Sequence, residues 1–534
     1  MTKTLLPSVL LALSGSCLAQ ETTTIIAETG DVAPHTGGMV IDSLGAFRVN
    51  ANGDFFTRFL VAPEVGEPSL DDVIAYLWRD GSFERLFRNG DDAPGIPGYV
   101  FTGAVPVGPS ETGALAFRMG VEDPMTNDAF NVLYVYQDGV FTEITRQGAE
   151  GEGVPGSAIE QFQNLAIAPN GDISFLAELL TGNGFNTGNN KFAMAYRAGQ
   201  LQGYARNGEP APGVTGKNFS AFGIPAVAPD GHLFFSVGLS GFPFNEGAYT
   251  LSGPVPELLY FQGDPPEIAP NQRIESLVPV GADLSGDYAF RGFLADFPFV
   301  VNSNDDGIIG RTRDGVFEIA LREGQVLEGF STGTTTASAE LRTNAALDIA
   351  AFVRIDLPNP IPDVDAIYLL ADGEPELIVA QRDPAPGMPG REFQIVEDDF
   401  VMNAMGDIVF RAEIADVGAP FFTGDRTLAL YDAVRDEVRI IVSTPSQIDA
   451  DPDPAVTDLR TVTGVSFEFD DFKNGAGYHG LGDGRQIAYT LGFDDGSQRS
   501  YLLTLNDPNT GSCCLPDQRA VVVTESRCND LDGV

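Results

Sequence analysis

Apolar and polar residues alternate with period two through most of the chain. From Phe162 the run "FQNLAIAPNGDISFLAEL" reads as a strand, a turn at Asn170-Gly171, and a second strand. A polar stretch, "LTGNGFNTGNNK", leads to "FAMAYRA", a turn at Gly199, and "LQGYARN". Alternation rich in aromatic and β-branched residues, bounded by Asn-Gly or Asp-Gly, predicts antiparallel hairpins, because a two-residue hairpin turn needs positive φ. No helical period interrupts it. One such stretch is a four-stranded meander.

The meander recurs. Its opening phrase returns as "APDGHLFFSVGL" at Ala228, "NAMGDIVFRAEI" at Asn403, and more loosely at Asn50, Ala114 and Asp283. The turn glycines are Gly53, Gly171, Gly231, Gly286 and Gly406. The aromatic landmarks are Phe56, Phe117, Phe175, Phe235, Phe290, Phe352, Phe410 and, in a looser copy, Tyr489. Gly plus an acidic residue and Pro-rich sequence keeps the same beat, as in "GDVAP" at Gly30, "GDDAPG" at Gly90 and "GEPAPG" at Gly208. Asp80-Gly81, Asp138-Gly139, Asp314-Gly315 and Asp372-Gly373 repeat the second turn. Two patterns sharing a period of about 60 residues define tandem structural units.

Four-stranded units repeated about an axis predict a β-propeller, which leaves only short, protected edges. Eight units are counted. The eighth offers only three strands, "SFEFDDF", "RQIAYTLGF" and "SYLLTL", while "TTTIIAET" at Thr22 supplies a fourth from the other end of the chain. The expectation is eight blades closed by the N-terminal strand. Seven blades plus a cap is the nearest alternative, and an open stack of units the next.

These units resemble the NxxGxxAF tandem repeat of secreted bacterial proteins, with "NAMGDIVF" at Asn403 the fullest copy. "GSCCLPDQRAVVVTESRC" at Gly511 resembles a short cysteine-rich tail, G-x-C-C-L-P-D-G-x-C, although Gln518 and Ala520 replace its second Gly and third Cys. The resemblance implies an exported repeat protein and carries no activity.

Composition narrows the partners. Residues 1–19 have a charged start, a short apolar run and small residues, the form of a cleaved secretory leader. The propeller is expected over 20–508 and a cysteine-containing tail over 509–534. Nothing later in the chain is apolar enough for a membrane helix, so an exported, soluble chain is expected in an extracellular, cell-surface or periplasmic setting. With 31 basic against 75 acidic residues and a formal charge of −44, nucleic acid and anionic membrane surfaces are poor partners. Cys513, Cys514 and Cys528 permit one disulfide and leave one thiol, which could bridge two chains; a monomer is otherwise expected.

Candidate chemistry is sparse. Nucleophile elbows, phosphate loops and HExxH motifs are absent. "NSNDDG" offers Asn302, Asn304 and Asp306 as calcium ligands, but Arg313 stands where the closing Glu is needed; a plain polar loop is the simpler reading, and no other cofactor is expected. Arg88, Arg146, Arg206 and Arg322 precede the connector glycines, with Asp31, Asp91, Glu209, Asp264 and Asp383 beside them. A group repeated in every blade is scaffold, so these should pair at blade boundaries. Asymmetry lies in the second-to-third-strand loops, long in units one ("VAPEVGEPSLDD"), three and six ("DLPNPIPDVD"), which share one face with the connectors. The insertion "KNGAGYHGLGDGR" adds Tyr478, His479 and Arg485, the residue types by which a polysaccharide lyase abstracts a proton and neutralises a carboxylate. The sequence therefore points to a non-enzymatic binding or scaffold module for an extracellular protein or glycan, with a secreted carbohydrate-active lyase as the alternative.

Overall fold

A computed structural model describes residues 21–45, 47–50, 52–62, 73–79, 81–180, 184, 186, 188–223, 226–227, 233–241, 245–251, 253, 255–262, 272–282, 287–296, 306–327, 329–330, 334–335, 340–344, 346–358, 362–371, 375–420, 423–449, 459–467, 485–505, 510–514 and 520–524. The alternating pattern folds as eight antiparallel sheets, the blades of a β-propeller. Blade 2 is typical: Val100–Val107, Leu115–Glu122, Ala129–Gln137 and Val140–Arg146 pair in chain order. Blades 1 and 3 to 7 occupy 40–88, 159–206, 219–261, 272–322, 334–380 and 391–443. Blade 8 joins Ser446–Asp449, Leu459–Ser466, Gln486–Phe493 and Gln498–Thr504, and Thr22–Glu28 pairs on its outer edge. The strand paired with Gln486–Phe493 is thus "LRTVTGVS", with Ser446–Asp449 on its other edge, and reaches only the first residue of the "SFEFDDF" that alternation favoured. Val462, Gly464, Val465 and Ser466 carry its pairing with Gln486–Phe493, and the strand ends at Ser466.

Cores form between blades rather than within them. Phe56, Leu77 and Phe87 of blade 1 pack with Phe101, Leu115 and Phe117 of blade 2. Phe47, Val49 and Phe55 of blade 1 pack against Ala488 of blade 8, so the ring closes. Because strand side chains alternate between faces, every blade offers one apolar set to each neighbour.

Two turn chemistries recur among the described residues. Asp138-Gly139 and Asp314-Gly315 have both residues at positive φ (50° and 82°; 50° and 76°), the two-residue hairpin geometry that matches strand twist. The turn between first and second strands is one residue longer. Asn50 O accepts from Gly53 N at 3.1 Å and Asn50 N donates to Asp54 O at 3.0 Å, which places Gly53 at φ 81°. The repeated Asn caps this loop, as Asn403 Oδ1 accepts from the backbone N–H of Met405 and Asp407 (3.0 and 2.9 Å).

Residues 503–534 and 1–24 form a second compact unit. Its described part includes a hairpin of Thr510–Cys514 with Ala520–Thr524. Cys513 and Cys514 end its first strand, and Cys528 lies outside the described residues.

Candidate functional site

The repeated polar residues are committed to the ring. Asn50 Nδ2 donates to Ser110 O of the next blade at 2.8 Å, and Asn344 Nδ2 to Ala404 O at 3.4 Å. Arg118 Nη1 donates to Phe162 O at 3.0 Å, and Arg58 Nη1 to Ala104 O at 3.3 Å, each reaching the next blade's first strand. Buried Arg311 crosses from blade 5 to the carbonyls of Leu347 and Ala371 (3.1 and 2.8 Å).

Connector carboxylates cap backbone. Asp31, Asp91, Glu209 and Asp383 each accept the N–H three residues earlier, at 3.2, 2.7, 3.1 and 2.7 Å. Glu209 also pairs with Arg206 at 3.2 Å, whereas Asp91 pairs with Arg85 and Arg146 with Glu143. Third-strand tyrosines brace the same connectors: Tyr76, Tyr134 and Tyr249 donate to the carbonyls of Pro34, Pro94 and Pro212 at 2.8, 2.7 and 2.9 Å. Burial pushes each of these phenols up to about 12.

Phe117, Phe175, Phe235, Phe290 and Phe410 occupy one register and face the preceding blade. Phe352 does not. Ala351 pairs with Tyr368 as Phe117 pairs with Tyr134, so Ala351 holds the repeat position. Phe352, one residue on, turns to the opposite face and packs with blade 7. Phe56 is displaced in the same way, because Thr57 pairs with Tyr76. Counting four residues from the turn position (Gly53 to Thr57, Leu347 to Ala351) recovers both, a signal that aromatic spacing hides. Gly53, Gly171 and Gly406 lie in turns at φ 81°, 90° and 85°; Gly231 and Gly286 lie outside the described residues.

Arg485 is 1 % exposed and held by two buried carboxylates. It donates to Asp407 Oδ2 at 2.8 Å and to Asp432 Oδ1 at 2.6 Å. Its guanidinium is therefore engaged inside the ring between blades 7 and 8. Tyr478 and His479 lie outside the described residues, as do Asn302 and Asn304, and Asp306 opens the strand Asp306–Arg313. Among the described residues, no group of three His, Cys, Asp or Glu is placed to hold a metal ion.

Blade 5 differs from blades 3, 6 and 7. Three residues beyond the register position, the second and third strands pair Glu178 with Lys191 in blade 3, Arg354 with Asp365 in blade 6 and Glu413 with Arg426 in blade 7. Blades 1, 2 and 4 differ as well, pairing Leu60 with Val73, Gly120 with Asn131 and Gly238 with Glu246. Blade 5 pairs Phe293 with Gly307 there. Phe293 is 42 % exposed, and a cavity of about 330 Å³ opens beside it. Val278, Arg291, Ile309 and Leu321 form one cross-strand row of its lining, and Ser276, Phe293 and Gly307 the next. Glu323 also lines it, and accepts the Gly307 N–H at 3.1 Å. Both rows belong to the blade's face toward blade 6, since Ile309 and Leu321 join that core. The cavity lies at the end where the second-to-third-strand loop and the connector leave. Sequence reasoning missed it: an aromatic opposite a glycine shows only once the register is known.

The sheets form a closed eight-bladed β-propeller whose repeated polar groups are committed to scaffold. The chain belongs to the family described as "Family of unknown function (DUF7453)", whose model matches residues 16–251 and 283–500. No curated protein matches it. Solved structures similar to it include the β-propeller domain of the trilobed protease from Pyrococcus furiosus, at 9 % identity and TM-score 0.37 over 75 % of this chain and 97 % of that one. The Dos1 propeller is similar at 8 % identity and TM-score 0.32, over 87 % of this chain and 94 % of that one. A polysaccharide lyase, PL25 ulvanlyase, is similar at 10 % identity and TM-score 0.30, over 95 % and 99 %.

Proposed function

We propose that the chain is an exported, non-enzymatic binding module that presents a ligand site from its long-loop face. The observation that carries this reading is the contrast between blades. Residues repeated around the ring are spent on turns, connectors and neighbouring blades, whereas blade 5 exposes Phe293 opposite Gly307 beside a cavity. A site needs asymmetry, and pockets with an apolar lining and a few placed polar groups are where ligands bind. Residues 1–19 support export by their leader-like form.

Purified full chain, immobilised and exposed to the extracellular and cell-surface glycan and protein fractions of its own cells, tests the reading. Retention of a component is the expected result, and a blank across all fractions overturns it. Absorbance from an unsaturated uronide product, formed when the chain is incubated with uronic-acid polysaccharides, would replace it with the lyase reading.

A further inference from the structure

We propose that Arg499 and Tyr501 of blade 8 form a buried site for one small monovalent anion of chloride size, a site independent of the loop-face reading above. A comparison between blades carries it. Tyr76, Tyr134 and Tyr249 each lie one strand in from the outer edge of their blade and donate to a connector proline carbonyl at 2.8, 2.7 and 2.9 Å. Tyr501 lies on the same strand of blade 8, one in from Thr22–Glu28. It is 7 % exposed, and its hydroxyl has no hydrogen-bond partner among the described residues. Its ring stacks on that of Tyr489, with centroids 5.5 Å apart and planes at 17°, which fixes where the hydroxyl points.

Arg499 lies two residues earlier, on the same face of the strand, and is 4 % exposed. Its Nε and Nη2 both donate to Glu28 Oε2, the first at 3.0 Å. Its Nη1 has no partner among the described residues. Burial pushes the Tyr501 phenol up and the Arg499 guanidinium pulls it down, so the two groups are near enough to act on one another. Two buried donors therefore stand side by side, each lacking an acceptor.

The chemistry of that gap selects the ligand. A buried donor without a partner costs more than an ordinary hydrogen bond returns, so an acceptor between the two is favoured. Water would satisfy both donors but bring two hydrogens of its own. The neighbouring carboxylate, Glu28, already accepts from Arg499 and from Arg460 Nη1 at 2.6 Å. An anion only accepts. Glu28 also divides one charge between two guanidiniums, which leaves that of Arg499 partly uncompensated where the low local dielectric strengthens it. Both side chains are more than nine-tenths covered, so the ion is compact. The net charge of −44 opposes its entry at low salt, a field screened beyond about 8 Å at physiological salt.

Replacing gluconate by chloride at a constant ionic strength of about 0.15 M tests this on the full chain. The melting midpoint should rise and then saturate, because a site fills by mass action whereas a general salt effect does not level off. Tyr501→Phe keeps Arg499 on Glu28 and keeps the ring stack, so its midpoint in gluconate alone should stay close to that of the native chain. In chloride it should fall below, with half-saturation at about tenfold higher chloride, the loss of one hydrogen bond to a charged partner. Crystals of the native chain grown in sodium bromide should show anomalous scattering between Arg499 Nη1 and Tyr501 Oη. A midpoint indifferent to chloride, a rise without saturation, an identical response in Tyr501→Phe, or a water at that place in the bromide crystals overturns the proposal.

Discussion

Arg485 Nε meets Asp407 Oδ2 at 2.8 Å although 78 residues separate them. Arg485 stands after Gly484 where Asp407 stands after Gly406, so blade 8 answers the repeated Asp of blade 7 with the opposite charge. Its φ is 62°, a left-handed conformation unfavourable for a side-chain-bearing residue, held there by two buried carboxylates.

Removing that guanidinium takes from fully buried Asp407 its ion-pair partner, while Asp432, also fully buried, keeps Arg435 at 2.9 Å. Breaking a buried pair by deleting one partner costs roughly 3–5 kcal/mol. Arg485→Gln should therefore lower the urea midpoint sharply, and adding Asp407→Asn should restore part of it. An Arg485→Gln midpoint equal to that of the native chain would refute this placement.

Glu28 is the closing residue of the ring. It pairs with Arg460 at 2.6 Å and with Arg499, which is 4 % exposed. Glu28→Gln should destabilise by roughly 1.5–3 kcal/mol, the range for hydrogen bonds to charged groups. Deleting 22–29 should expose the edge of blade 8 and promote self-association, read by light scattering.

Alkaline pH should unfold the ring in a defined window. The phenols of Tyr76, Tyr134 and Tyr249 stand at about 12 when folded, against about 10 in an unfolded chain. The fold favours the protonated form, so this contribution is complete below pH 10 and is lost as pH rises through 10 toward 12. Tyr134→Phe removes one hydrogen bond, about 1 kcal/mol, and should reduce the slope of stability against pH in that window.

Gly113 has φ 77°, and a Cβ there would fall 2.0 Å from Arg79 Nη2. Gly113→Ala should cost at least the roughly 1–2 kcal/mol of left-handed strain, and more if Arg79 cannot move aside. Combining it with Arg79→Ala should recover the collision and leave the strain.

The surplus of acidic groups predicts that the melting midpoint rises from low to marine salt, because screening weakens like-charge repulsion. At fixed ionic strength, calcium should exceed magnesium only if a calcium site exists near Asn302 to Asp306. Equal midpoints assign the whole effect to screening.

Local chemistry determined what could be read from the chain. Period-two alternation, Asn-Gly and Asp-Gly turns and the beat of about 60 residues specify blades, their number and the N-terminal closing strand, because each depends on neighbours within a hairpin. Tertiary structure decided everything that depends on which face a residue occupies and what lies across it. A one-residue slip reverses the face, so Phe352 and Phe56 left the aromatic register while Ala351 and Thr57 kept it. Arg485, beside Tyr478 and His479 in sequence, is drawn into the ring by Asp407 and Asp432, since a buried guanidinium must find carboxylates wherever the fold brings them. The blade 5 cavity is lined by Phe293 and Gly307, fourteen residues apart in the chain and directly opposed across two strands, a pairing that only the assembled sheet defines.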